Sequence, residues 1–189
     1  MHKLKINHLF YTVLKILLCA TLLLGLGSCG MLKHSVKNRK HTSQYTVKEE
    51  KELEKKLEHN LKGDEKKIIE EAFEWLETPY SYGRQDKGIA TDCSGFVMRT
   101  FEVAIGCKLP RNSAKQAEFC EEIKGSKVKP GDLVFFITNN GSKINHVGIM
   151  INATEFIHAS SKGVRVASME SDYYKKHFIQ FGRVPCIKH

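Results

Sequence analysis

Long apolar runs are missing from this chain of 189 residues. The longest, residues 16–26, holds eleven residues and is broken by Cys19 and Thr21, whereas a membrane-spanning helix needs roughly 20. A spanning anchor is therefore disfavoured. Metal-ligand spacings are missing too: no CxxC pair occurs among the six cysteines, so a structural zinc site has no footing. Dense Arg/Lys clusters with interleaved aromatics are also absent, which sets nucleic acid aside as a partner despite a formal charge of +9. No internal repeat is present. The length supports one domain comfortably, and two only if one is very small.

What is present starts with an export signal. Lys3 and Lys5 form a basic start, the apolar run follows, and small residues close it at Gly25-Leu26-Gly27-Ser28-Cys29. A leucine three residues before a cysteine, with small residues between, resembles the bacterial lipobox. That resemblance implies cleavage after residue 28 and lipid on the Cys29 thiol, which anchors a chain without spanning the membrane. A plain secretory signal and a signal anchor are the alternatives. Without residues 1–29 the chain loses three lysines and no acid, leaving 27 basic and 21 acidic residues, a net +6. That excess suits an anionic wall polymer or a phospholipid surface.

Residues 30–46 are basic and polar and read as a tether. Thr46 and Glu49 have the spacing of a capping box, and Leu53, Leu57 and Leu61 follow at every fourth residue. This narrow stripe predicts a solvated helical stalk, with a partner-binding helix as the alternative. The expected organisation is a signal over 1–28, a tether and charged helical linker over 29–63, and a catalytic domain over 64–189. No separate targeting module fits before Asp64.

From Asp64 the periodicity becomes helical, with Ile68, Ile69, Ala72, Phe73, Trp75 and Leu76 on one face until Pro79 ends it. A glycine-containing loop leads to a second helix that starts after Asp92 as N-cap, carries Phe96, Val97, Phe101, Ala104 and Ile105, and stops at Gly106. A third helical piece is expected over residues 112–122. After KPGD the pattern turns to short β-rich stretches at 133–137, 147–151, 155–159, 164–168 and 178–184. Helices first and antiparallel strands second is an α+β layout.

Cys93 falls at the first position of the second helix. Unpaired backbone N–H groups and the helix dipole act there, and both are expected to lower the thiol pKa from about 8.5. It could equally be a buried thiol, half of a disulfide or a metal ligand. Cys107 and Cys120 flank a loop and are candidates to pair, though spacing alone does not establish it. A nucleophile needs a base and an orienter. His146 and His158 lie twelve apart around a turn at 152–154, and an even separation across a hairpin puts both on one sheet face, directly or diagonally opposed. His146 would then act on Cys93 while His158 fixes its tautomer. A Cys/His/His zinc site is the competing reading and lacks a fourth ligand.

The ordered segments DCSGF (92–96), LPRNS (109–113), PGDLVFF (130–136), NHVGIMI (145–151) and FIHAS (156–160) resemble the NlpC/P60 family of cell-wall peptidases. The resemblance covers residues 64–184. It implies a papain-like α+β fold, its nucleophile helix packed on a small antiparallel sheet. It also implies Cys93 as nucleophile, His146 as base and His158 as orienter, with no metal and no cofactor. The tyrosine that helps bind the oxyanion in that family matches Tyr80, in Tyr80-Ser81-Tyr82-Gly83. Arg84 stands where a glycine usually follows, and GIATDC carries one extra residue. Asp92, Ser94, Arg111 and Ser113 match positions that hold a stem peptide in some members, with Tyr82 beside them. A carboxylate can hold an ammonium group and an arginine can fork onto a carboxylate; Asp92 as a plain cap and Arg111 as a surface charge are the alternatives.

The implied activity is hydrolysis of peptidoglycan stem peptides or muropeptides, first at the γ-D-glutamyl–diamino acid bond. A D-alanyl cross-link endopeptidase, a non-catalytic wall-binding lipoprotein, and an acyltransferase or amidase on a permuted fold are the competing readings. The implied location is the cell envelope, with the lipid in the outer membrane and the domain facing the periplasm.

Overall fold

The computed structural model describes residues 45–188. The export signal, Cys29 and the tether up to residue 44 lie outside the described residues. In chain order the elements are α1 (Val47–Glu58), α2 (Gly63–Phe73), β1 (Gln85–Asp86), β2 (Ala90–Thr91), α3 (Cys93–Ile105), α4 (Ser113–Phe119), β3 (Glu121–Ile123), β4 (Leu133–Phe136), β5 (His146–Met150), β6 (Glu155–Ser160), β7 (Gly163–Ser168), α5 (Asp172–His177) and β8 (Phe178–Arg183). A six-stranded antiparallel sheet has the order β3-β8-β4-β5-β6-β7, and β1 with β2 form a small hairpin. The α+β expectation holds.

The central strands are buried on both faces, so they read as near-continuous apolar runs rather than alternating ones. One face carries Leu133, Phe135, Val147, Ile149, Ile157 and Val166, which pack with Ile68, Ala72, Phe96, Val97 and Phe101 of α2 and α3. The other carries Val134, Phe136, Met150, Phe156 and Ala167 and is covered by Tyr174 of α5. Each fully buried Phe, Ile or Val adds about 1.5–3 kcal/mol. The helix-to-sheet packing is what fixes α3, and with it residue 93, against the start of β5.

Local signals set the ends of α3. The Asp92 side chain accepts from the Gly95 amide at 2.7 Å, and Gly106 closes the helix with φ 68°. Gly95 is required for a second reason: a Cβ there would lie 2.5 Å from the Arg84 carbonyl oxygen. The loop between α2 and α3 is thus pressed directly on the first turn of α3. Elsewhere α4 is shorter than the periodicity predicts, because residues 121–123 join the sheet as β3 on β8. The α5 helix has too few apolar positions to be seen as one in the sequence.

The stalk reading is corrected. α1 forms with its capping box, Thr46 and Glu49 bonding reciprocally, but it is docked rather than solvated. Leu53, Leu57 and Leu61 pack on the main core. Glu50 is only 2% exposed, and its carboxylate accepts the Val166 amide of edge strand β7 at 2.9 Å. The Tyr45 hydroxyl bonds Glu155 of β6. The folded body therefore includes residues 45–63, which the sequence reading assigned to a linker. A three-leucine stripe marks a helix with a partner, and the partner is this chain's own sheet edge, which an unpaired β7 would otherwise expose.

The pairing left open for Cys107 and Cys120 is decided by the structure, and the two do not bond each other. Cys107 bonds Cys186 across 79 residues, tying the chain's C-terminal segment to the end of α3, and Cys120 is free. Residue 120 begins the turn into β3, where its side chain packs against Gly182 of β8, so it faces the sheet and not residue 107.

Two stability outcomes follow. Glu50→Ala leaves the Val166 amide without an acceptor and should lower unfolding free energy by about 1–3 kcal/mol in urea titrations, while Glu50→Gln, which keeps an acceptor oxygen, should lose less than half of that. Cys186→Ser should lower it by about 2–4 kcal/mol; an unchanged urea midpoint in the Cys186 variant would show that the closed loop adds nothing.

Candidate active site

The Cys93 side chain is buried at the N-terminus of α3, against the start of β5. Its S–H points at the Asn145 carbonyl, 3.8 Å away, and the Val147 amide donates to the sulfur. The thiol is thus held by the backbone on either side of His146. The register of β5 on β6 pairs Ile149 with Ile157 and Met150 with Phe156. By extension His146 and His158 are diagonal neighbours on one face, as the twelve-residue spacing predicts. His146 Nε2 lies 2.7 Å from His158 Nδ1, and His158 Nε2 lies 3.1 Å from the Tyr174 hydroxyl.

This chain of contacts fixes tautomers. For His146 Nδ1 to be free to accept a proton, Nε2 must carry the hydrogen and donate it to His158 Nδ1. His158 then holds its own hydrogen on Nε2 and donates it to the Tyr174 oxygen. Tyr174 was not foreseen. It sits on a six-residue helix that follows the last hairpin, and nothing in the spacing of SDYYKKH points to the histidines.

The electrostatics come from desolvation. His146 and His158 lie among Phe136, Phe156 and Tyr174, whose rings stand at centroid distances of 5.0–5.9 Å from them. Burial pushes His146 down to about 4 and His158 well below its ordinary value, with the charges of His146 and Arg165 adding to the latter. Both are neutral at neutral pH. The expectation for Cys93 is reversed: burial and the Asp92 charge raise its thiol to about 11, outweighing the amides of Val147 and Ser94 that favour the thiolate. A helix N-terminus lowers a thiol pKa only where water or a cation shares the load, and here the sulfur is dry and beside a carboxylate. The resting pair is neutral thiol and neutral imidazole, an arrangement suited to proton transfer during attack and not to a standing ion pair.

Asp92 organises the other side of the thiol. Besides capping α3, its carboxylate accepts from the Gly83 amide at 2.8 Å and from both terminal nitrogens of Arg111 at 2.9 and 2.8 Å. Burial opposes its charge, but the bonds from Arg111, Gly95 and Gly83 prevail and hold its carboxyl below the usual range. Arg111 also donates to Ser94 Oγ at 3.0 Å. Asp92 and Arg111 thus fork onto each other, where the sequence reading gave each a separate charge to hold. Ser113 opens α4 with its hydroxyl 3.5 Å from the Ile144 carbonyl, close to the strand that carries His146. Tyr80 pairs with Thr91 as an isolated bridge and stands near enough to Cys93 for their charges to interact. Tyr82 is 88% exposed and stands near enough to Arg111 and Tyr80 for their charges to interact.

A cleft of about 420 Å³ opens over the histidine pair, lined among others by Tyr80, Tyr173, Lys162 and Arg165. No group of three or more His, Cys, Asp or Glu able to hold a metal ion exists among the described residues. The extra residue in GIATDC is absorbed by the β1–β2 hairpin. Arg84, standing for a glycine, serves through its backbone, its carbonyl accepting from Asp92 N and from Arg111.

A thiol at a helix start, held by the backbone on either side of a neutral histidine that bonds a second histidine, on an α+β scaffold, fits the class of thiol hydrolases. The NlpC/P60 family profile matches residues 77–183, more than half of the chain. The chain belongs to that family and is a cysteine peptidase of it, a peptidoglycan hydrolase. It is similar to the Murein DD-endopeptidase MepS/Murein LD-carboxypeptidase of Escherichia coli strain K12, 41% identical over 120 residues that cover 62% of each chain. It is also similar to the Gamma-DL-glutamyl hydrolase of Bacillus subtilis strain 168, 35% identical over 109 residues, 57% of this chain and 26% of that one. Among solved structures, a Staphylococcus aureus protein of the NLP/P60 family, described as similar to lipoprotein, superposes with a TM-score of 0.61 at 30% identity, covering 67% of this chain and 42% of that one.

The pKa pattern has a direct consequence. Alkylation of Cys93 by iodoacetamide should accelerate by about tenfold per pH unit from 6 to 10, since the thiolate fraction is set by a pKa near 11. A rate that is already flat between pH 5 and 8 would mean a thiolate–imidazolium pair at rest.

Proposed function

We propose that this protein is a thiol endopeptidase of peptidoglycan stem peptides in which Cys93 is the nucleophile, His146 the general base and His158 the positioning residue for His146. The observation that carries the roles is the 2.7 Å bond between His146 and His158, on a hairpin whose first backbone groups clasp the Cys93 sulfur. His146 Nδ1 takes the thiol proton as sulfur attacks the peptide carbonyl. The tetrahedral oxyanion is met by the Tyr80 hydroxyl and by amides at the start of α3. Collapse transfers the proton from His146 to the leaving amine and gives a thioester. Water activated by His146 then hydrolyses the thioester. A base held near pKa 4 is weak, but the aromatic wall that weakens it also strengthens each charge interaction in the transition state.

For the bond, the γ-D-glutamyl–diamino acid linkage is the first reading, supported by the family resemblance and by the name of the Bacillus relative. The D-alanyl cross-link is the second, favoured by the higher identity to the Escherichia coli DD-endopeptidase. Asp92, Ser94, Arg111, Ser113 and Tyr82 are the substrate-side residues in either case. Arg111 can receive a substrate's carboxylate while remaining bonded to Asp92, because its side chain is still partly exposed, and Asp92 holds it in place from the buried side. Lipid on Cys29, in the outer membrane and facing the periplasm, completes the reading by holding the enzyme near the wall.

Incubation with defined muropeptides, followed by product masses, assigns the bond: a sugar-linked L-Ala-D-Glu product with release of the diamino acid fragment supports the first reading and separation of cross-linked dimers the second. Cys93→Ala should abolish turnover. His158→Ala should lower kcat by more than about tenfold with little change in KM, the signature of a positioning residue. Full activity of Cys93→Ala would falsify the assignment of the nucleophile.

A further inference from the structure

One wall of the cleft is made by the β6–β7 hairpin and carries charge that the proposed chemistry does not use. Arg165 on β7 pairs directly with His158 on β6, so both side chains stand on the same face of the sheet. Two further residues of the turn, Ser161 and Lys162, line the same wall. Among the residues lining the cleft, Lys162 and Arg165 are the cations and none is an Asp or Glu. Glu50, whose carboxylate accepts the Val166 amide and feels the charge of Arg165, is outside the lining of the cleft.

Arg165 is also underused. Its Nε is shut off from water and has no hydrogen-bond partner, and neither it nor Lys162 belongs to an ion pair among the described residues. A buried guanidinium N–H without an acceptor costs about 1–3 kcal/mol and is uncommon in a settled structure. That Nε is as closed to a ligand as to water, and an acceptor entering the cleft meets the part of the guanidinium that lines it. The acceptor that suits a planar guanidinium beside a flexible ammonium is a carboxylate, held in a fork by the first and by point charge by the second. Tyr173, half exposed at the same wall, offers a ring against which the aliphatic part of such a ligand can lie.

We infer that Arg165 and Lys162 form a carboxylate-binding subsite that selects stem peptides by a free carboxyl group away from the scissile bond. The inference rests on the cleft being the substrate site, as proposed above. It separates the two sides of the thiol by function. The Asp92–Arg111 side is internally neutralised, and the Arg165–Lys162 side carries two cations with no carboxylate in the cleft lining. Amidation of the recognised carboxyl, which removes charge and changes little else, would then weaken binding.

The test reads binding and turnover separately. The full chain carrying Cys93→Ala is titrated calorimetrically with a stem tetrapeptide in four forms: unmodified, amidated at the diamino acid side-chain carboxyl, amidated at the C-terminal carboxyl, and amidated at both. The inference expects one single amidation to weaken binding by about tenfold, and expects Arg165→Gln in the same background to bring the free and amidated forms within about twofold of each other. Lys162→Gln, on an exposed turn where folding is not at stake, should reduce the same ratio partly. A ratio near one in the parent protein, a ratio that persists in Arg165→Gln, or no binding of any form overturns the subsite. An effect of Arg165→Gln on all forms alike is the mark of a structural role through His158 and also overturns it. Turnover of the unmodified peptide by the protein with Cys93 intact decides the functional reading on its own, since a peptide bound with this selectivity but never cleaved leaves the subsite standing and the peptidase assignment fallen.

Discussion

Five donors converge on the Asp92 carboxylate: the Gly95 amide, the Gly83 amide, the Ser94 hydroxyl and two nitrogens of Arg111. Through them one side chain holds together the start of α3, the loop that precedes it and the segment leading to α4. Cys93 follows Asp92 directly, so the direction of its Cα–Cβ bond is set by this junction. The charge of Asp92 is kept in a nearly dry place because the Arg111 fork and two amides replace water. The same charge is a burden on the neighbouring thiol, which it pushes toward the protonated form. The site therefore accepts a poor resting nucleophile in return for a fixed geometry, and leaves activation to the proton transfer itself.

The second constraint is dryness around the histidines. Phe136, Phe156 and Tyr174 make a pocket in which neither imidazole can easily be charged. Neutral imidazoles in a row have only two consistent arrangements of hydrogens, and the Tyr174 hydroxyl at the far end can complete either, as acceptor or as donor. A positioning histidine differs here from a carboxylate in the same place. In the proposed roles it would orient the base without offering it a full counter-charge, so an imidazolium formed during attack would be transient.

The edges of the sheet are closed by elements outside the family profile or far from it in sequence. α1 covers β7 through Glu50 and the leucine stripe, and the Cys107–Cys186 bond fastens the C-terminal segment over the end of α3. β7 is also the strand that bears Arg165. Holding this strand from behind keeps the cationic wall of the cleft at a set distance from His158, which links the N-terminal helix mechanically to the substrate face.

Much of this was legible in the residues. The 3.6-residue spacing of α2 and α3, the Asp92 cap, the Gly106 stop and the positions of four central strands follow from local rules. The diagonal pairing of His146 and His158 follows from a two-residue period counted around a turn. These are short-range properties, set by backbone geometry over a dozen residues or fewer, and the sequence by itself determined them. What only the tertiary structure decided depends on what surrounds a group. The sequence put Cys93 at a helix terminus, but whether its pKa falls or rises depends on exclusion of water by β5 and on the Asp92 charge. It offered Asp92 and Arg111 as two separate ligands, but they lie 19 residues apart and meet only when α3 and α4 pack. The docking of α1 across more than 100 residues, the choice of Cys186 over Cys120, and the meeting of Tyr174 with His158 are long-range in the same sense. Burial, charge and partner are properties of the assembled neighbourhood, and no window of sequence contains them.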